Sequence, residues 1–510
     1  MTIDIPESHL ARVSTYIAAA MGLHFPKERF RDLERGIKAA ARELGIADGK
    51  SCIEWLLSST PTRSQIEILA GHLTVSETYF FRDKKLFKAL DQLILPELIP
   101  LRRKSGKHLR IWSAGCSSGE EPYSLAILLS SMIPDIAEWN IHILATDINT
   151  QSLQKAVAGV YRHWSFRDNP PWIKDGYFSQ KKDGSFELLP RVRKMVTFSY
   201  LNLAEDSYPL LFNNTTALDI IFCRNVLMYF VPELAGKVAQ KLHRCLVDGG
   251  ILTVSPSELS NPAFSRFKTV RAPGAIFYRK EGSNRSAPFP CAPLEKPKPV
   301  KPALKSVPAA APVRKPAGAR LAPRPEAPGG PVESPAVKAD DPNRKELYRE
   351  ASALYEEGCY PEAVEKAEEL LSQHLPDPNV LILLARIHAN MGKLDKALEW
   401  CEKAIVAEKL HAGHRYLLAT ILQELGRAEE AVASFKKTLY LDPKFVTAYV
   451  ALGNISRKSG RHKESVKHLK NALALLDAEK AEDVLPGEGS INAGRLIEII
   501  RTMLRIEPGS

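Results

Sequence analysis

A chain of 510 residues is too long for one hydrophobic core, and at about 150 residues per domain it predicts about three globular units. Its 45% hydrophobic and 25% charged residues exclude a wholly disordered chain, and no stretch reaches the roughly 18 consecutive apolar residues of a spanning helix. The net charge of +11 would suit nucleic acid, an anionic surface or an acidic protein, but ten Lys/Arg against three Glu fall within residues 285–338, so much of the excess belongs to one segment.

The opening, Met1 to Arg12, carries Asp4 and Glu7 and has no apolar run behind a basic end, so a secretory leader is not expected and the chain reads as cytoplasmic. Cys52, Cys116, Cys223, Cys245, Cys291, Cys359 and Cys401 are odd in number and lack a C-x-x-C pair. That pattern argues against disulfides and zinc, so reduced thiols and no metal are expected.

Residues 1–80 read as a helical domain, with apolar periodicity over 27–44, 52–57 and 64–73. Arg31, Arg35, Lys38 and Arg42 recur at three- or four-residue steps and so share one helix face. A solvated face gives the same run; an acidic partner would also fit it. Thr78-Tyr-Phe-Phe-Arg82 then sets aromatics and a lone cation at the next boundary, as a functional edge or a hydrophobic hinge.

Over 81–281 the pattern becomes β-α alternation, with apolar strands LRIWSA, IHILAT, MVTFSY, DIIFC and GILTVS separated by helical stretches. This predicts a Rossmann-like, mainly parallel, doubly wound sheet whose ligands sit at the carboxyl ends of the strands. The first strand opens into Gly115-Cys-Ser-Ser-Gly119-Glu-Glu, a strand-to-helix turn where glycine lets backbone approach a ligand. Glu120 and Glu121 at the helix start would repel pyrophosphate and would suit a cationic ligand end, such as the amino group of S-adenosylmethionine; they also satisfy a plain helix N-terminus. Asp147 ends the second strand, where a ribose diol is commonly bonded, and equally suits a cap of the helix starting near Thr150. Arg224 and Asn225 follow the fourth strand directly, with Tyr229 one turn further on.

Fourteen of the 36 prolines fall between Ser283 and Asp340, mixed with Ala, Lys and Gly, which marks 282–342 as an extended linker between halves free to move independently. Beyond it, Gly358, Gly392, Gly426 and Gly460 recur every 34 residues, the period of a tetratricopeptide helix-turn-helix unit. Ala363, Ala397, Ala431 and Ser465 keep step, as do Ala351, Ala385, Ala419 and Gly453. Four repeats over 343–478 follow, an all-α solenoid whose concave face would bind another protein or a second copy. Residues 479–510 carry a helix, 491–506, suited to capping the stack or to meeting a partner.

Taken together, SETYFFRD, SAGCSSGEEPYSLAI, LATDIN, AVAGVY, Asn202-Leu203 and IIFCRNVLMYF resemble, in order, the CheR-type chemotaxis-receptor glutamate methyltransferases over roughly residues 8–281. The resemblance implies S-adenosylmethionine as cofactor, S-adenosylhomocysteine as product, and the cytoplasmic domain of a methyl-accepting receptor as substrate, with membrane contact only through that receptor. It implies cofactor contacts from Ser76, Thr78, Arg82, Gly115, Glu121, Asp147, Asn202, Leu203, Arg224 and Asn225. Arg82 and Tyr229 would border the transferred methyl, and Arg31, Arg35, Lys38 and Arg42 would dock the receptor. A small antiparallel β insertion is expected at about 176–193. Ser255-Pro-Ser-Glu258 stands where the family has Gly-His-Ser-Glu, which leaves the pocket rim there open. The insertion has a single glycine in Lys181-Lys-Asp-Gly184, so no grip on a receptor tail is expected and the repeats would supply targeting. Two rival readings are a non-catalytic scaffold that senses S-adenosylmethionine and a nucleic-acid methyltransferase. The pocket residues speak against the first, and CRNVLMYF in place of an Asn/Asp-Pro-Pro-aromatic motif speaks against the second; no nucleic-acid partner is expected.

Overall fold

The computed structural model describes residues 5–59, 61–210, 213–258, 262–281, 342–373, 377–477, 480, 483 and 492–506. The linker expected over 282–342 lies outside the described residues, apart from Pro342.

Four helices form the N-terminal domain: α1 (Glu7–Met21), α2 (Phe30–Leu44), α3 (Gly49–Ser58) and α4 (Arg63–Leu73). Local signals set their ends. Asp48 caps α3 by accepting from the Ser51 N–H, Thr62 and Gln65 close a capping box on α4, and Gly22 and Gly45 end α1 and α2 in left-handed conformation. Their apolar faces share one core built on Leu10, Val13, Ile17, Leu33, Ile37, Cys52, Ile53 and Leu69. The helix expected from 27 starts as a 3₁₀ turn, Lys27–Arg29, before α2.

Two helices, α5 (Lys84–Ala89) and α6 (Leu95–Lys104), lead into the sheet. Its strands are β1 (His108–Ala114), β2 (Asn140–Asp147), β6 (Val196–Tyr200), β7 (Leu218–Cys223), β8 (Leu246–Thr253), β9 (Phe267–Ala272) and β10 (Ala275–Lys280). Their order is β6-β2-β1-β7-β8-β10-β9. The first five run parallel, and β10 is antiparallel to both β8 and β9. The five apolar runs read from the sequence are those parallel strands. The crossover helices α7 (Glu120–Met132), α8 (Thr150–Ala158) and α11 (Pro232–Cys245) place the ends of β1, β2 and β7 on one edge.

A separate sheet of order β3-β5-β4 pairs β3 (Val160–Tyr161) and β4 (Phe178–Gln180) with β5 (Phe186–Leu188), all antiparallel. The insertion therefore begins earlier than 176. Helix α9 (Pro171–Tyr177) interrupts it and α10 (Pro190–Arg193) closes it, so the stretch expected to be β ends as helix.

The repeats are four helix pairs: α12 (Pro342–Glu357) with α13 (Tyr360–Gln373), α14 (Pro378–Asn390) with α15 (Leu394–Ala407), α16 (Ala412–Glu424) with α17 (Ala428–Leu441), and α18 (Val446–Lys458) with α19 (His462–Leu476). Gly358, Gly392, Gly426 and Gly460 sit at each intra-pair turn with φ of 78°, 73°, 76° and 73°, the left-handed region that favours glycine. Both columns of small residues are fully buried where they are Ala or Ser. The column's Gly453 packs so closely on Leu469 that a Cβ would stand 3.0 Å from Cδ2. Helix α20 (Ala493–Ile506) caps the stack, setting Leu496, Ile500 and Met503 against Val450, Leu469 and Leu476.

The two halves touch in this structure. Asn140 Nδ2 donates to the Glu424 carbonyl at 3.2 Å, Arg244 Nη1 donates to the Glu356 carbonyl at 3.2 Å, and Arg110 pairs with Glu424. The repeat turns thus rest near the amino ends of the parallel strands, the end away from the ligand-binding edge.

Candidate active site

The carboxyl ends of β1, β2 and β7 open into a cleft of two lobes, which share Val75, Gly115, Ser117, Asn225 and Tyr229 as a common wall. Ser76, Asp147, Asn202 and Leu203 line the first lobe. Thr78, Arg82, Glu121 and Arg224 line the second. All the cofactor and methyl-transfer candidates read from the sequence therefore meet around one cleft.

Gly115 turns the chain at φ 79°, and a Cβ there would fall 2.3 Å from Val226 Cγ2, so only glycine lets the first loop lie against the loop after β7. Asp147 braces that turn. Its Oδ2 accepts from the Ser117 N–H at 2.8 Å and its Oδ1 from the Asn149 N–H at 2.8 Å. Burial raises its pKa against those donated bonds. The cap of α8 is Asn149, which accepts from the Ser152 N–H, so Asp147 is left to the cleft and its glycine loop.

The adjacent carboxylates at the start of α7 part company. Glu121 faces the second lobe; its Oε1 accepts from Ser113 Oγ at 2.8 Å, and its Oε2 lies 3.6 Å from Arg224 Nη1. Burial raises its pKa, with Arg224 and Ser113 opposing. Glu120 turns away and accepts from Ser118 and Ser165 hydroxyls at 2.7 and 3.0 Å, so the expected paired anchor is a single carboxylate.

Arg224 is not a free cation at the edge. Its side chain is 4% exposed, donates to Asp83 Oδ2 at 2.8 Å and to the Arg82 carbonyl at 3.4 Å, and stands beside Glu121. It ties the Arg82 segment to the loop after β7. Arg82 donates Nη1 to the Glu77 carbonyl at 2.7 Å and still lines the second lobe. Asn202 spends its amide on the Ala20 carbonyl and Glu205, joining α1 to the loop after β6.

The N-terminal domain does more than the docking expected of it. Met21, Leu23, His24, Phe25, Arg29 and Leu73 form one wall of the first lobe. The His24 N–H donates to the Tyr229 carbonyl at 2.7 Å, and the Arg29 guanidinium lies 5.0 Å from the Phe25 ring centre and 5.3 Å from that of Tyr229. No motif spacing announces these residues: Arg29 and Leu73 fall within the runs read as helical, and Met21, Leu23, His24 and Phe25 fall in none of them. On α2, Arg31, Arg35 and Arg42 are exposed, but Arg35 pairs with Asp32 at 2.7 Å and Lys38 with Glu34 at 3.0 Å, so the basic face is partly compensated by its own helix.

The family model described as "CheR methyltransferase, SAM binding domain" matches residues 76–276. A chemotaxis protein methyltransferase of Borreliella burgdorferi is 31% identical over 260 residues, which cover 51% of this chain and 90% of that one. The chain belongs to the CheR methyltransferase family. It is an S-adenosylmethionine-dependent methyltransferase. Chemotaxis protein methyltransferase 1 of Pseudomonas aeruginosa is 37% identical over 221 residues, 42% of this chain and 77% of that one. The probable biofilm formation methyltransferase WspC of the same organism is 28% identical over 384 residues, 74% of this chain and 86% of that one. Models for a tetratricopeptide repeat and for anaphase-promoting complex subunit 3 match 416–480 and 345–438, in this CheR protein's helical half.

The cleft suits S-adenosylmethionine on the chain's own chemistry. Met21, Leu23, Phe25 and Ile148 offer an apolar face for a purine, Asp147 an acceptor for a ribose, and Glu121 an anion for the ammonium end. Ser117 Oγ is buried between the lobes with no hydrogen-bond partner, a polar atom that a ligand would satisfy. Burial holds the Cys116 thiol well above its ordinary pKa, so it is an inert wall rather than a nucleophile.

Away from the cleft, Glu408, His411 and His414 bring one ligand atom each within 4.8 Å of one another. Counting cysteines could not find this cluster; the E-x-x-H-x-x-H spacing could. No helix among the described residues is long and apolar enough to cross a membrane.

Proposed function

We propose that this enzyme transfers the methyl of S-adenosylmethionine to glutamate side chains of a methyl-accepting chemotaxis-type receptor, leaving glutamyl methyl esters and S-adenosylhomocysteine. The observation that carries this reading is the convergence of Arg82, Glu121, Asp147, Asn225 and Tyr229 on one cleft at the strands' carboxyl ends. S-adenosylmethionine supplies an electrophilic methyl on a sulfonium. A glutamate carboxylate is already ionised at neutral pH, so the chain needs no general base, only alignment and exclusion of water. Glu121 holds the ammonium end and Asp147 the ribose, while Ser76, Thr78, Gly115, Asn202, Leu203 and Asn225 frame the rest. Arg82 orients the incoming carboxylate, and Tyr229 flanks the methyl at the wall shared by the lobes. The exposed arginines of α2 guide the acidic receptor surface to the cleft, and the repeats hold the enzyme to a second protein partner.

The WspC alignment is too long to lie within the catalytic half alone. That favours a receptor of a biofilm pathway as the substrate. The test is incubation of the full chain with methyl-labelled S-adenosylmethionine and membranes of its own cell. A receptor-sized band whose label is released by mild base is expected, and its absence would sink the assignment. Methylated bases would resist that treatment. For Arg82→Ala, normal S-adenosylhomocysteine binding with the methylation rate lowered about 10²-fold is expected for a lost positioning contact; an unchanged rate would remove Arg82 from its role.

A further inference from the structure

The loop after β7 carries Asn225 and Tyr229, yet it has little regular structure of its own: Arg224 to Tyr229 passes from the strand into a short 3₁₀ turn at Leu227–Tyr229. Asn225 sits at φ 56°, in the left-handed region that a non-glycine residue enters only when its surroundings require it. The requirement is met from behind the cleft. Glu258, in the 3₁₀ turn Pro256–Glu258 after β8, is 5% exposed and does not line either lobe.

Its Oε1 accepts the N–H groups of Val226 at 3.0 Å and Met228 at 3.1 Å. Its Oε2 accepts the Asn225 N–H at 3.2 Å, the Ser255 N–H at 2.8 Å and the Ser255 hydroxyl at 2.5 Å. Five donors converge on one carboxylate, filling its acceptor capacity. Three of them are consecutive or near-consecutive amides of the loop that forms the wall between the lobes. The Tyr229 N–H in turn donates to the Val226 carbonyl at 3.1 Å, so the turn that aims Tyr229 is built on a residue Glu258 holds.

We propose that Glu258 is a positioning residue for methyl transfer: its carboxylate clamps the Asn225–Met228 backbone and so sets Asn225 and Tyr229 against cofactor and substrate. The Ser255-Pro-Ser-Glu258 segment is thus a strut behind the cleft instead of a part of its rim. The proposal rests on the roles given above to Asn225 and Tyr229. The clamp itself, however, is testable without any substrate. Glu258→Gln keeps the volume but must turn an NH₂ group toward backbone donors, so one set of bonds is lost.

Two measurements on the full chain test it. The first is hydrogen exchange of the Asn225, Val226 and Met228 amides. Slow exchange is expected in the wild-type enzyme, with faster exchange in Glu258→Gln confined to this loop while β1 and β2 amides stay protected. Fast exchange in the wild type would overturn the clamp outright, whether or not the variant folds or a substrate is in hand. The second is the kinetic split. Glu258→Gln should lower kcat about 10- to 100-fold, as small misalignments at a reacting centre do, with receptor KM changed by less than about threefold. A variant whose loop amides exchange faster but whose kcat is unchanged would keep the clamp and overturn the positioning role. If the wild-type enzyme methylates no receptor, the function proposed above fails, while exchange and the Kd for S-adenosylhomocysteine still report on the clamp.

Discussion

Gly115→Ala is the most incisive change, because one added methyl loads two parts of the cleft at once. The new Cβ would stand 2.3 Å from Val226 Cγ2, against an ordinary carbon contact of about 3.5–4.0 Å, on backbone at φ 79°. Left-handed backbone costs a non-glycine residue about 1–2 kcal/mol and overpacking about 1–3 kcal/mol, so about 3 kcal/mol is a central expectation. At about 2–4 °C per kcal/mol for a unit of this size, Tm should fall by about 6–12 °C. Val226 cannot simply retreat, since its N–H is held by Glu258. The strain should therefore spread to Asn225 and weaken S-adenosylhomocysteine binding about tenfold or more, which is about 1.4 kcal/mol. Gly184→Ala is the internal control: φ is 77° but no atom lies within 4 Å, so only the backbone term of about 1–2 kcal/mol applies. Differential scanning fluorimetry and titration calorimetry read both effects. A Gly115→Ala enzyme with Tm within about 1 °C of the wild type, less than about 0.5 kcal/mol on that scale, and with unchanged affinity would refute the argument.

Glu121→Gln removes the anion beside Ser113 and Arg224 and should weaken S-adenosylmethionine binding about 10- to 150-fold, the value of about 1.5–3 kcal/mol for a hydrogen bond to a charged group; titration calorimetry checks this. Because burial raises the Glu121 pKa, acidification should protonate it before an ordinary glutamate. Cofactor affinity should then fall as pH drops toward the carboxylate range, and Glu121→Gln should flatten that fall in a pH series of Kd values. Replacing Arg31 and Arg42 with Glu should raise receptor KM, more at low than at high salt, with no change in cofactor Kd. An equal loss at Arg35, which is already paired with Asp32, would contradict the geometry of α2.

The parts of the architecture legible in the sequence were those repeated or uninterrupted along the chain. The 34-residue column of glycines maps directly onto four left-handed turns because the same backbone need recurs in each unit. The five parallel strands were legible because burial on both faces demands continuous apolar runs. The cleft was harder. Adjacent Glu120 and Glu121 are indistinguishable as letters, and only the packing of Ser165 against α7 assigns one inward and one outward. Arg224 looked like a binding cation because its partner, Asp83, lies 141 residues away in the chain. Met21, Leu23 and Phe25 carried no signal because they stand outside the periodic runs, and in the fold they pack into the helical core as well as walling the lobe. The strand Val160–Tyr161 was missed because two residues carry no alternation to detect.

The seam between the helical domain and the sheet has a thermodynamic consequence. The helical domain that carries the exposed Arg31, Arg35 and Arg42 also supplies Met21, Leu23, Phe25 and Arg29 to the first lobe, and Asn202 ties it to the sheet through Ala20. A molecule filling the lobe would touch both domains at once. Linkage then runs in both directions: whatever the cofactor does to the affinity for a receptor helix, the receptor helix does in equal measure to the affinity for the cofactor. Under the function proposed above, exchange of spent product for fresh methyl donor would then be coupled to receptor binding, in whichever sense that linkage runs.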